Sequence, residues 1–136
     1  MTHEAKSEDC LFCSLQTTGR MRVVAENELA YAVKDGFPVT PGHTLIIPKR
    51  HVVDFFELQT AEVYAINLLL LAQKSSLQTT DITIDGFNIG MNCGESAGQT
   101  IFHCHVHLIP RRTGDVANPR GGVRHVIPGK GNYSAT

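Results

Sequence analysis

Between Phe102 and Leu108 the chain alternates without a break: Phe102, Cys104, Val106 and Leu108 are apolar, and His103, His105 and His107 fall between them. A repeat of two is the period of a β-strand, where successive side chains point to opposite faces. The strand must bury its apolar side in a sheet, and its other face carries three imidazoles roughly 6.5–7 Å apart. Three readings fit that face: the polar side of an edge strand, a hydrolytic zinc centre with an open fourth position, and a site that acts on a phosphate-sized ligand. The residues just upstream bear on the choice. Asn92-Cys93-Gly94-Glu95-Ser96-Ala97-Gly98-Gln99-Thr100 is a turn whose glycines free backbone amides and whose Asn92, Gln99 and Thr100 add donors, a set suited to an oxyanion or phosphate.

Other segments supply the partners this strand needs. Residues 23–26 and 29–33 are apolar runs either side of Asn27-Glu28, a strand, turn and strand. Residues 43–47 are rich in β-branched side chains and end at Pro48, after the proline and glycine loop 37–42. Phe87, Ile89 and Met91 alternate with Asn88, Gly90 and Asn92 in a further strand. Thr60 is the expected N-cap of a long helix running to about Ser76, with Glu62 in its acidic first turn. Residues 68–71 of that helix are four consecutive leucines, which sweep about 300° around the axis, so burial on two sides is expected, with a second protomer as the simplest cover.

The chain has 136 residues, 42% of them hydrophobic, which is enough for one domain with a core. Its 12 Lys and Arg against 13 Asp and Glu leave a net charge of -1, so neither a nucleic-acid coat nor a membrane surface is indicated, and any phosphate site must be local. No apolar leader or bilayer-length run is present, which makes a cytoplasmic protein the expectation. Its four cysteines are then expected to be reduced: Cys10-Leu11-Phe12-Cys13 reads as a metal or redox motif, and Cys93 and Cys104 as small core residues.

His43-Thr44-Leu45-Ile46-Ile47-Pro48, Gly98-Gln99-Thr100 and His103-Cys104-His105-Val106-His107-Leu108-Ile109 together resemble the histidine triad (HIT) family of nucleotide hydrolases and transferases. The resemblance covers residues 10–112. It implies an α+β fold, a five-stranded antiparallel sheet with one long and one short helix, pairing with a second copy into a homodimer. The expected organisation is a flexible segment 1–9, the HIT domain at 10–112 and a basic, Gly/Pro-rich tail at 113–136. The implied activity is cleavage of a nucleoside-phosphate-X substrate, a dinucleoside polyphosphate or nucleoside phosphoramidate, through a covalent nucleotidyl-histidine; the alternative is a nucleotide-binding regulatory protein with little turnover. By the same resemblance His105 is the nucleophile, and His107, Asn92, Gly98, Gln99 and Thr100 hold the phosphate and leaving group. Asp35 takes the ribose hydroxyls, Leu11, Phe12, Leu15 and Val33 line the base pocket, and His43 also belongs to the nucleotide-binding set. For Phe12, Leu15 and His43 an ordinary core role is an equal reading.

A zinc-bearing branch of the family, which includes galactose phosphate uridylyltransferases, supplies a role for the cysteines. Cys10 and Cys13 with His51 and His103 make a four-ligand set, and four protein ligands leave no place for a reactive water, so the zinc is structural. Downstream of Arg111 the sequence departs from the phosphoramidase and fragile histidine triad branches. Arg111, Arg112, Arg120, Arg124 and Lys130 face Asp115 alone there. Such a tail can reach distal phosphates, cap a partner or lie on the surface.

Overall fold

The computed structural model describes residues 9–133. The segment 1–8, expected to be flexible, lies outside the described residues. A short helix, α1 (Leu11–Ser14), precedes β1 (Val23–Glu26), β2 (Ala30–Lys34) and β3 (Thr44–Pro48). The long helix α2 (Thr60–Thr80) follows, and then β4 (Gly86–Gly90) and β5 (Val106–Arg111). The five strands form one antiparallel sheet in the order β1-β2-β3-β5-β4. One long and one short α-helix on such a sheet is the α+β architecture expected from the sequence.

The sheet buries both faces at its centre, because α2 covers one side and α1 the other. Ala30, Ala32, Ile46 and Val106 meet Ala65, Ile66 and Leu69 of α2. On the opposite face Tyr31, Val33, Leu45 and Ile47 meet Cys10, Phe12 and Leu15. Strand β2 therefore buries four consecutive residues, the continuous apolar reading of a strand covered on two sides. The turn between β1 and β2 is closed by Asn27, whose Oδ1 accepts the amides of Leu29 and Ala30 while its Nδ2 donates to the Ala65 carbonyl.

The helix departs from expectation at both ends. Its N-cap is Gln59, not Thr60; Glu62, buried beneath Arg50, accepts the Gln59 amide at 2.9 Å and thereby fixes the first turn one residue earlier. It also runs on to Thr80, past Ser76, because Leu77 continues the buried stripe onto Ile84 and Leu108. Of the four leucines Leu69 is buried, whereas Leu68 and Leu71 stay 45% and 57% exposed with Tyr64 beside them at 64%. Within a single chain, then, α2 is covered on one side only. Among the described residues no helix is long and apolar enough to cross a membrane.

The histidine strand is shorter than its alternation. Hydrogen-bonded pairing of β5 with β3 runs from Thr44↔Leu108 to Ile46↔Val106 and stops there. Pro48 has no amide to extend the ladder, and the chain before Val106 turns instead to the segment after β3, where the Cys104 amide donates to the Val52 carbonyl at 2.7 Å. The expected strand over residues 102–105 is therefore an irregular approach. Its three histidines stay on the α1 side of the sheet, where His103 and His105 both meet Phe12, but His103 finds different partners from the other two.

Candidate functional site

His103 is fully buried and separates from the other two. Its Nε2–H donates to the Pro48 carbonyl at 2.8 Å, which leaves the Nδ1 lone pair free. That lone pair lies 3.3 Å from Cys10 Sγ, 3.5 Å from Cys13 Sγ and 3.1 Å from His51 Nδ1. Cys13 Sγ and His51 Nδ1 are 3.4 Å apart, and all four ligand atoms fall within 4.8 Å of one another. Tetrahedral zinc with bonds of about 2.0–2.3 Å separates its ligands by roughly 3.3–3.8 Å, so this donor set fits the ion. The short helix α1 makes the cluster possible: Cys10 is its N-cap and Cys13 its last turn, which puts both sulfurs on one side. Buried His103 thus belongs to the cysteines, and the three triad histidines do not converge on one ion.

His105 and His107 keep company, their ring centroids 5.2 Å apart. His105 Nδ1–H donates to the His103 carbonyl at 2.8 Å, so its Nε2 carries the lone pair. Burial pushes the pKa of His105 below its ordinary value, against the raising effect of that carbonyl and of Asp35, and so favours the neutral ring.

The tautomer of His107 follows from a chain of donors. The Val39 amide donates to His43 Nδ1 at 3.0 Å, so neutral His43 carries its proton on Nε2. That proton is donated to His107 Nδ1 at 2.9 Å, with Asp35 Oδ2 3.4 Å from the same His43 nitrogen. His107 is left with a proton on Nε2, its one ring nitrogen available as a donor to a ligand. Burial, and then the neighbouring His105 and His43, lower its pKa to about 4.

That shift has a sign. An unfolded histidine titrates near 6.5, so below that pH the unfolded chain binds a proton that folded His107 refuses until about pH 4. The stabilisation is whole above pH 6.5 and lost as pH falls toward 4. Urea midpoints of the wild type should fall relative to those of His107→Asn, which cannot titrate, across this window. Parallel curves would show that His107 is not held neutral.

A cavity of about 300 Å³ gathers both rings with Phe12, Asp35, Asn92 and Thr100. Asp35 leaves the end of β2; its Oδ1 accepts the Phe37 amide at 2.7 Å, which sets the carboxylate at the cavity mouth. Phe12 reaches in from α1, its ring edge-on to His105 at 4.9 Å. His43, 2% exposed, lies behind His107. Gln99 is not in the lining: its Nε2 donates to the carbonyls of Val53 and Ile101 and its Oε1 accepts the Gly94 amide, so it staples the turn rather than reaching a ligand. Gly98 adopts a φ of +95°, which only glycine takes without strain, and sits behind Asn92.

Of the residues placed at the base pocket by resemblance, Val33 is corrected, and Leu15 takes its core alternative. Leu15 and Val33, 3% and 0% exposed, pack in the core beneath α1. Arg22, Phe37, Leu45 and Ile101 line the cavity in addition, without having been singled out in the sequence. Phe37 left a usable signal, an aromatic in a proline and glycine loop next to Asp35, and it is 92% exposed. Arg22 left none, since only the fold brings it near.

The HIT domain family model matches residues 17–114. A HIT-like protein of Mycoplasma genitalium is 40% identical over 106 residues, 77% of this chain and 74% of that one. The AP-4-A phosphorylase of Mycobacterium tuberculosis is 38% identical over 95 residues, 68% of this chain and 48% of that enzyme. Among solved structures, a Zn-bound histidine triad family protein from Mycobacterium smegmatis superposes with a TM-score of 0.73 at 34% identity, covering 83% of this chain and 82% of that one. A HIT family protein from Bacillus anthracis gives 0.71 at 38% identity, over 79% and 76%.

Proposed function

The chain belongs to the HIT domain family, and from that premise we propose that it cleaves nucleoside-phosphate-X substrates through a covalent nucleotidyl-histidine on His105. One observation carries the reading. The His105 Nδ1–H is spent on the His103 carbonyl, which leaves a neutral Nε2 lone pair in a cavity that also holds Asp35, Asn92, Thr100 and His107. Asp35 accepts the ribose hydroxyls, Phe12 and Leu11 hold the base, and Asn92, Thr100 and the His107 Nε2–H bind the phosphate oxygens. Water completes a hydrolase; a second phosphate in its place makes a transferase. Acid-quenched, base-quenched and native digests of protein mixed with adenosine 5′-phosphoramidate should carry one adenylate on the His105 peptide, lost in acid and kept in base. No adduct under single-turnover conditions would refute the mechanism.

Zinc on Cys10, Cys13, His51 and His103 has a structural role in this reading, supported by the spacing of the four donors and by the zinc-bound relative. Reduced thiols at that site agree with a cytoplasmic protein. The exposed stripe Tyr64, Leu68 and Leu71, spaced i, i+4 and i+7, is the face on which a second copy docks. Leu68→Glu with Leu71→Glu should convert a dimer to a monomer by sedimentation while far-ultraviolet dichroism stays unchanged. A wild type that sediments as one chain would remove the homodimer.

A further inference from the structure

We propose that Arg22 reads the base of the bound nucleotide and selects a 6-oxopurine, guanine or hypoxanthine, over adenine. The inference rests on the reading of the 300 Å³ cavity as a nucleotide site. A row of paired residues crosses the sheet from His107 on β5 through Leu45 on β3 and Val33 on β2 to Val23 on β1. Arg22 adjoins the far end of that row, in the turn Arg20–Arg22 that leads into β1. It therefore starts three strand spacings, about 14 Å, from the histidine strand. Asp35, just past the end of β2, lies between them. With phosphate at His105 and His107 and ribose at Asp35, the base comes to the Arg22 end, where Leu11, Phe12 and Phe37 give it apolar walls.

The guanidinium is available for that role. Arg20, in the same turn, is held by Glu26, which also takes Lys49 at 2.9 Å. The Asp35 carboxylate accepts the Phe37 amide through Oδ1 and faces His43 Nε2 through Oδ2. Among the described residues Arg22 itself has neither a hydrogen bond nor a salt bridge, and no other lysine or arginine lines the cavity. Its Nη2 lies over the backbone of Gly36, 3.8 Å from where a Cβ at that position would stand. A larger residue after Asp35 would take up the space that the guanidinium holds.

An arginine presents donors only, in a planar fork. Guanine and hypoxanthine offer that fork two neighbouring acceptors, O6 and N7. Adenine keeps N7 but carries an amino group in place of O6, so a donor meets a donor and one hydrogen bond is lost. A phosphate is the other usual partner of arginine, but the phosphate end of the cavity lies across the sheet, beyond the Asp35 carboxylate.

The test titrates the 5′-monophosphates of guanosine, inosine, adenosine and 7-deazaguanosine into the full chain, and into its Arg22→Met and Arg22→Lys variants, by calorimetry. Arg22 is exposed, so both substitutions spare the core. The wild type should bind the guanosine and inosine compounds about tenfold more tightly than the adenosine one, with the 7-deaza compound, which lacks the N7 acceptor, in between. In Arg22→Met the ratio of guanosine to adenosine affinity should fall to about one, and Arg22→Lys, which keeps the charge without the fork, should recover only part of it. A merely structural role, or a contact to phosphate, would weaken both nucleotides alike and leave their ratio standing, and that result overturns the proposal. Equal wild-type affinities, an inosine compound that binds as the adenosine one does, or a ratio that survives in Arg22→Met each overturns it as well. Binding of none of the four would mark failure of the nucleotide reading, and of base selection with it. Selectivity that vanishes with Arg22 in a protein that forms no adduct on His105 would instead remove the nucleophile and leave the base reading standing.

Discussion

His105→Asn should turn over adenosine 5′-phosphoramidate about 10⁴-fold more slowly than the wild type and bind adenosine monophosphate with nearly the same affinity. A loss of that size is about 5.5 kcal/mol of transition-state stabilisation, more than any hydrogen bond to the phosphate provides. Asparagine can still donate to the His103 carbonyl as Nδ1 does at 2.8 Å, so the loop before β5 keeps its anchor. What it lacks is an sp² nitrogen lone pair able to bond to phosphorus. Asp35, Phe12, Asn92 and Thr100 remain around the cavity, which is why monophosphate affinity survives. Turnover within tenfold of wild type would remove His105 as nucleophile, and a parallel loss of affinity would assign it to binding.

Stripping zinc should lower the melting temperature by roughly 10 °C or more and raise KM for nucleotide at the same time. The four donors are far apart in sequence: Cys10 and His103 are separated by 93 residues, and Cys13 and His51 by 38. Without the ion, buried His103 presents its lone pair to two sulfurs and another imidazole, with nothing to draw them together. Helix α1 hangs on that cluster through the residues at both its ends, and Phe12 between them forms the wall beside His105. Loss of metal would therefore loosen the wall of the cavity as well as the fold. Elemental analysis of protein purified without chelator should give close to one zinc per chain, and X-ray absorption should show sulfur in its first shell. Less than half a zinc per chain, or an unchanged melting curve after chelation, would strike the assignment out.

The strands and the long helix were legible because each element's period is local: the 23–26 and 29–33 runs, the alternation at 87–91 and the helix formers after Thr60 all have counterparts at nearly those positions. Element ends were less so. Gln59 displaced Thr60 as cap through Glu62, itself held by Arg50, a partner twelve residues away in sequence and outside any capping pattern. Gln99 shows the same limit at the site. Its amide looked like a phosphate donor beside Thr100, yet it is consumed by Val53, a residue that only the folded chain brings within 2.7 Å.

The alternation from Phe102 to Leu108, with Asp35, Asn92 and the two cysteines, was enough for the sequence alone to determine an α+β chain and to single out its histidines as the candidate site. Periodicity and residue type are local properties, and they survive being read without coordinates. Which partners each histidine meets was decided only by the tertiary structure. Pro48 ends the ladder and takes the His103 Nε2–H, sending that ring to the cysteines; the His103 carbonyl sets the tautomer of His105; Val39, through His43, sets that of His107. A ring nitrogen's role depends on where its proton sits, and the partners that hold the proton come from distant parts of the chain.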